Sequence, residues 1–204
     1  MSIYALESVF RPASVAVVGA SPRPRSLGRL VLQQLREGGF AGPIGLVNPR
    51  HAQIDGVEAV ASLEALPFAP ELVIIAAPPA DVAGVARAAA DRGAKAAIVL
   101  TRDMGSGSGS HNAALAEIAR SRGLRIVGPN CLGVIAPHAR LFASFAAHAP
   151  APGELALISQ SGAVAAGMIE WGRSRGIGFS AVASLGDGLD VDFADLLDYF
   201  ATDR

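Results

Sequence analysis

Leu124-Arg125-Ile126-Val127 runs directly into Gly128-Pro129-Asn130-Cys131-Leu132-Gly133. The first four residues have the apolar, partly β-branched character of a buried strand, and the six that follow form a Gly/Pro/Asn turn that cannot prolong it. In open α/β sheets, ligands bind in the crevice beyond the carboxyl ends of the strands, so this turn reads either as a binding loop or as a tight chain reversal. It also carries Cys131, the single cysteine of the chain. A lone cysteine is either a nucleophile or a small packed hydrophobe, and both readings stand at this point.

Working outward, short apolar runs recur at residues 14–18, 44–47, 72–76 and 96–100, each too short and too β-branched for a helix. Between them lie amphipathic stretches at 27–37, 81–92 and 110–122, closed by Gly38, Gly93 and Gly123. The alternation spells repeated βαβ units, hence a parallel sheet with helices on both faces. Residues 136–153 shift to Ala, His and Pro, and Pro150-Ala151-Pro152-Gly153 should forbid regular structure there. The boundary is expected at this point, dividing the chain into 1–148 and 149–204. The second part offers two strands (154–158 and 179–184) and two helices (163–175 and 192–200), too few strands for a self-sufficient sheet. The chain is therefore expected to be one piece of a longer protein.

Composition narrows the class. Hydrophobic residues make up 51% and charged residues 17%, with 23 Gly and 13 Pro, as suits a loop-rich α/β globule rather than a disordered chain. Seventeen Lys plus Arg against 18 Asp plus Glu leave a net charge of −1. No global field draws the chain to nucleic acid or membrane, so any anion site must be local. No secretory leader or apolar run of spanning length is present, and a cytoplasmic protein is expected. His51, His111, His138 and His148 lack paired spacing, so no metal site is expected.

Three turns could carry binding. Gly19-Ala20-Ser21-Pro22-Arg23-Pro24-Arg25-Ser26-Leu27-Gly28 opens a helix, where free N–H groups and the dipole favour an anion. It lacks Gly-x-Gly-x-x-Gly spacing, and Asn48-Pro49-Arg50 stands where an NAD site wants an acidic residue, so a redox reading is disfavoured and Arg50 would suit a ribose phosphate. Ala76-Ala77-Pro78-Pro79 is either a wall against a nucleotide or pantetheine chain or a rigid βα connection. Ser159-Gln160-Ser161-Gly162 precedes a helix and could dock a phosphate, or simply cap that helix. The acidic run Asp187, Asp190, Asp192, Asp195 and Asp198 reads as dipole complement and solvated face.

These residues together resemble the N-terminal part of the NDP-forming acyl-CoA synthetases, the superfamily of the succinyl-CoA synthetase α subunit. Val17-Val18-Gly19-Ala20-Ser21, Val47-Asn48-Pro49-Arg50, Gly128 to Gly133, Ile158-Ser159-Gln160-Ser161-Gly162-Ala163 and Asp190-Val191-Asp192-Phe193-Ala194-Asp195 follow the family's order and spacing. The resemblance covers nearly all of the chain. It implies a Rossmann-like CoA-binding domain with a parallel sheet, followed by the incomplete start of a flavodoxin-like, succinyl-CoA synthetase-like domain.

By the same resemblance Gly19, Ser21, Ser26, Leu27 and Gly28 would hold CoA phosphates, and Asn48, Pro49 and Arg50 would meet the ribose-phosphate end. Ala76, Ala77, Pro78 and Pro79 would border the nucleotide, and Asn130 and Cys131 would lie near the thiol. Ser159, Gln160, Ser161, Gly162 and Ala163 match the helix terminus that receives the family's phosphohistidine, with Asp198 where a Glu usually contacts it. The implied reaction joins an acid to CoA with ATP or GTP through that histidine, which lies beyond residue 204 in the family pattern. No catalytic residue is thus assigned here, and the nucleotide would come only with nucleotide-grasp domains outside the chain.

Leu185-Gly186-Asp187 and residues 144–148 also resemble bacterial fusions of a ligase-like region with a GNAT-type acetyltransferase, some of them regulatory. Arg102-Asp103-Met104 stands where active synthetases tend to carry Ala-Gly-Phe and a nearby Glu. The alternative is therefore an acyl-CoA-sensing region of an acetyltransferase. Whether the chain forms a homo-oligomer stays open.

Overall fold

The computed structural model describes residues 3–202. Its first sheet contains β1 (Val15–Val18), β2 (Ile44–Val47), the short strands β3 (Gln53–Ile54) and β4 (Val57–Val60), then β5 (Leu72–Ile75), β6 (Ala96–Val99) and β7 (Arg125–Val127). Their spatial order is β3-β4-β2-β1-β5-β6-β7, and every pairing is parallel except the β3–β4 hairpin. After β1 the chain winds outward in one direction, and from β5 it winds in the other. The carboxyl ends of β1 and β5 are therefore the switch point at which such sheets leave a crevice.

Alternate residues of the central strands supply the two faces. Val15, Val17, Leu72 and Ile74 pack with Val31, Leu32 and Leu35 of α2 (Leu27–Glu37). Ala16, Val18, Val73 and Ile75 pack with α3 (Pro79–Asp91) and α4 (His111–Arg122), represented by Val82, Ala86, Leu115 and Ile118. The strands are buried on both faces, which is why they read as continuous apolar runs rather than alternating ones. A short α1 (Glu7–Phe10) precedes β1 and places Val9 and Phe10 in the α2 side of the core.

The second sheet has the order β10-β11-β8-β9 and is built from β8 (Gly133–Ala136), β9 (Leu141–Ser144), β10 (Pro152–Ser159) and β11 (Phe179–Ser184). Here the structure departs from the sequence expectation. Residues 136–153 are not irregular throughout: β9 lies inside that span, and β10 begins at Pro152. The proline is tolerated because it opens a strand that pairs on one side only, and the register shifts beside it, between Pro152 and Leu155. The two strands expected for the second unit are completed by β8, antiparallel to β11, and by β9, antiparallel to β8. The sheet thus changes between Val127 and Gly133, and the expected division at 148/149 does not separate the sheets. α5 (Gly162–Arg175) covers one face, with Ala165 and Ile169 against Ile135, Phe179 and Val182. The other face joins the α2 core, together with α6 (Phe193–Thr202). Among the described residues no helix is long and apolar enough to cross a membrane.

The segment after β11 binds the two sheets. Backbone N–H groups of Asp187, Leu189 and Val191 donate to the carbonyls of Pro129, Gly128 and Ile126 at 2.9, 3.0 and 3.1 Å, covering the β7 edge. Arg125, 8% exposed, donates from Nε to Asp190 at 3.0 Å and from Nη2 to Asp195 at 2.6 Å, while Ile126 N–H donates to Asp190 at 2.8 Å. Two members of the acidic run are therefore partners of a buried guanidinium rather than solvated. Arg125→Met removes the buried positive charge that faces both carboxylates and should lower the unfolding free energy by about 3–5 kcal/mol, read by chemical denaturation. A loss below about 1 kcal/mol would reduce the pair to the standing of a surface ion pair.

Candidate functional site

The turn after β1 is shaped by close approach. Gly19 has φ +91°, and a Cβ there would stand 2.5 Å from the Ala76 carbonyl oxygen, so only glycine lets the β1 and β5 ends meet. Gly28 brings the first turn of α2 onto Ala20, whose Cα would lie 2.7 Å from an added Cβ. Ser26 is the N-cap, yet its hydroxyl donates to the Ser21 carbonyl at 3.1 Å and caps no helix N–H. Ser21 is 6% exposed and its hydroxyl has no hydrogen-bond partner. A buried, unpaired hydroxyl is costly and usually marks a place where something else binds. With the uncapped amides of α2 beside it, the turn offers donors of the kind an anion accepts.

Asn48 is committed to the protein. Its amide Nδ2 donates to the Ala20 carbonyl at 2.5 Å, and its Oδ1 accepts from the N–H groups of Arg50 and His51 at 2.8 and 3.2 Å. It joins the β2 end to the β1 turn, while Pro49 and Arg50 are exposed at its rim. Pro78 and Pro79 serve as N-cap and first residue of α3, where a missing N–H costs nothing. Ala76 and Ala77 precede them, and Ala77 anchors a chain of bonds across the strand ends: Thr101 Oγ1 donates to the Ala77 carbonyl at 2.6 Å, and Asn130 N–H to the Thr101 carbonyl at 2.9 Å.

That chain leads to a cavity of about 1050 Å³ between the two sheets. Asn130 and Cys131 line one side and Gln160, Ser161, Gly162 and Ala163 the other, so two motifs separated by about thirty residues of sequence face one space. Leu27, from the first turn of α2, reaches the same cavity and links it to the anion turn. Ser161 caps α5, accepting from Val164 N–H at 3.3 Å. Ser159 donates to the Ser161 carbonyl at 3.0 Å and shapes the turn without lining the cavity. Asp198 is exposed on α6 and does not line it.

The cavity also holds residues that the sequence reading did not assign as site residues. Arg102 and Asp187 bring the charges, and Leu100, Leu132, Phe145 and Ala146 bring apolar wall. Asp187 accepts from the Asn130 amide at 3.1 Å. A signal for Arg102 was present, since it directly follows a strand end, where such sheets place functional groups. Asp187 and Phe145 arrive through the second sheet, whose pairing was not foreseen. No group of three or more His, Cys, Asp or Glu that could hold a metal occurs among the described residues.

Cys131 is 2% exposed, with Sγ 3.3 Å from the Val99 carbonyl. Burial pushes its thiol up to about 12. The group is neutral in the fold and packs as a small hydrophobe. At pH 8 it should resist a thiol reagent in the native chain and react fully after unfolding, as followed by absorbance. Because the folded value is raised, stability is unaffected below the ordinary thiol range and falls as pH climbs from there toward about 12. Rapid native labelling at pH 8 would contradict this.

Known proteins resemble this chain along nearly its whole length. A CoA binding domain is matched over residues 13–137 and a succinyl-CoA ligase like flavodoxin domain over residues 152–204. The subunit alpha of ADP-forming acetate–CoA ligase II from Pyrococcus furiosus is 38% identical over 96% of this chain and 43% of its own length. ADP-forming acetate–CoA ligase I from Archaeoglobus fulgidus is 34% identical over 97% of this chain and 29% of its own length. The dinucleotide forming acetyl-coenzyme A synthetase 1 of Ca. Korarchaeum cryptofilum, solved with phosphate and ADP, superposes with a TM-score of 0.91 at 34% identity, over 98% of this chain and 43% of that one. The chain spans less than half the length of these relatives. A fused acetyltransferase has no support in these comparisons.

Proposed function

Because the chain belongs to the CoA binding domain family, we propose that it binds CoA or acyl-CoA as the N-terminal part of an NDP-forming acyl-CoA synthetase. One observation carries this reading: Leu27 joins an anion turn holding an unpaired buried hydroxyl to a roomy cavity between the sheets. The pair of sites suits an elongated ligand with phosphates at one end and a reactive group at the other. In this reading Gly19, Ser21 and the Ser26-Leu27-Gly28 turn hold the diphosphate through backbone and hydroxyl donors. Arg50 meets the ribose phosphate from the rim, Asn48 and Pro49 present it, and Ala76 to Pro79 border the nucleotide.

The thiol end then enters the cavity beside Asn130 and Cys131, with the latter as wall. Opposite it, the uncapped amides of α5 at Gly162 and Ala163 suit a phosphorylated side chain brought by another part of the enzyme. Bound CoA supplies the thiol that takes the acyl group, and this chain orients it and excludes water around it. The complete reaction, acid plus CoA plus ATP or GTP giving acyl-CoA, NDP and phosphate, belongs to the assembled enzyme with its nucleotide-grasp domains. A cytoplasmic setting fits that chemistry. Asp198, exposed on α6 and outside the cavity wall, has no role in this arrangement.

Calorimetry of the chain with CoA and with acetyl-CoA should give saturable heat. No heat and no thermal shift at millimolar ligand would remove the reading. Arg50→Glu should weaken CoA about tenfold more than dephospho-CoA, which lacks the 3′-phosphate. Equal losses on the two ligands would take Arg50 out of this role.

A further inference from the structure

We propose that Arg29, held by Asp55 at the tip of the β3–β4 hairpin, is a positioning residue that sets the anion turn for its ligand; the ligand part of this inference rests on the CoA-binding reading above. The turn has little means of holding itself. Pro22 and Pro24 bring no N–H, and its own backbone bond is Ser26 N–H to the Arg23 carbonyl at 3.3 Å. What fixes it is a set of side-chain donors, two of them from beyond the turn. The carbonyls of Ala20, Ser21 and Pro22, consecutive in the chain, accept from Asn48 Nδ2 at 2.5 Å, Ser26 Oγ at 3.1 Å and Arg29 Nη1 at 2.9 Å. A carbonyl oxygen facing a phosphate repels it, so a turn that binds anions must direct these oxygens elsewhere. Here each is engaged by a protein donor, and the Ser21 hydroxyl is left buried and unpaired.

Arg29 could not hold this position as a free surface residue, because a long side chain loses rotamer freedom when fixed. Asp55 supplies the constraint. Its carboxylate grips the guanidinium by both oxygens, Oδ2 to Nε at 2.8 Å and Oδ1 to Nη2 at 2.8 Å, and the two side chains are 23% and 26% exposed. This fork is planar and directional, so it leaves Nη1 aimed at Pro22. Asp55 is itself fixed by the hairpin, with φ +50° followed by Gly56 at φ +76°, and by Gln33 and Arg36 of α2, which reach its carboxylate and its carbonyl. The hairpin otherwise pairs by its edge with β2 and packs Ile54 and Ala59 into the α2 side of the core. The structure thus gives this small excursion a task at a distance from the ligand.

Charge alone predicts the opposite sign. Asp55→Asn removes a negative charge from the neighbourhood of an anion site and keeps a residue that tolerates positive φ, so simple electrostatics would tighten CoA binding. The positioning role requires it to weaken. In the full chain, Asp55→Asn should lower CoA affinity about tenfold and leave D-pantetheine, which has no phosphate, unaffected. Arg29→Ala should do the same, and the double variant should bind no more weakly than Arg29→Ala alone, because Asp55 acts through Arg29. Unchanged or tighter CoA binding by Asp55→Asn, or losses that multiply, would overturn the proposal. Amide hydrogen exchange of residues 20–28 in the ligand-free protein separates this inference from the function it rests on. Exchange there should quicken in Asp55→Asn while β1 and β5 stay protected, and unchanged exchange overturns the clamp whatever CoA does. Quickened exchange in a protein that never binds CoA supports the clamp and removes the CoA reading instead.

Discussion

The guanidinium of Arg125 stands at the last strand of one sheet and takes its carboxylates, Asp190 and Asp195, from the segment that follows the other. A buried ion pair contributes little net stability against a well-packed apolar alternative. What this one supplies is location. It holds residues 187–191 along the β7 edge, and from there Gly186 and Asp187 reach the cavity beside Asn130. Ser184, fully buried on β11, accepts from Leu132 N–H at 3.0 Å, and Ser144 on β9 donates to the Leu132 carbonyl at 2.9 Å. The loop that opens the cavity is therefore gripped by two strands of the second sheet, and its neighbour Gln160 to Ala163 is presented from a fixed direction.

The parallel strands were legible because their signal is simple. A strand buried on both faces must be apolar throughout, and residues 72–75 or 96–99 admit no other reading of similar length. The turns after β1, β7 and β10 were legible as well, since glycine, serine and asparagine at strand ends announce themselves locally. What escaped was pairing between distant segments. Val134 to Ala136 and Leu141 to Ser144 are short, and Pro137 and the left-handed Arg140 between them look like loop residues until β11 is placed alongside. The β3–β4 hairpin had its own signal, Asp55-Gly56 between short runs, the pairing that a tight hairpin prefers. The acidic run could not be sorted in sequence. Only the position of Arg125 decides that Asp190 and Asp195 are paired while Asp187 turns to Asn130.

The candidate site divides the same way. Residues whose role is set by their own backbone, such as Gly19 and Gly28, were identifiable from type and position. Asn48 was expected at the ribose-phosphate end, and its geometry makes it a tie between loops, with both ends of its amide occupied. Cys131 could be read either as nucleophile or as packing until burial was known, and its surroundings decide for packing. Arg102 was marked by its place after a strand end, whereas Asp187 and Arg29 act through neighbours far away in the chain, and no local pattern marks them.

One feature of the packing reaches beyond the site. The apolar cluster that contains Leu46 and Ile74 of the first sheet continues without interruption through Val134, Leu141, Ala181 and Leu196. The two family matches, ending at 137 and resuming at 152, part the chain inside the second sheet, between β8 and β10, with β9 in the gap. The two matched domains thus share one apolar core. A gene split or a protease nick placed at that seam would strip both fragments of a shared oily wall, and each would be left searching for the other.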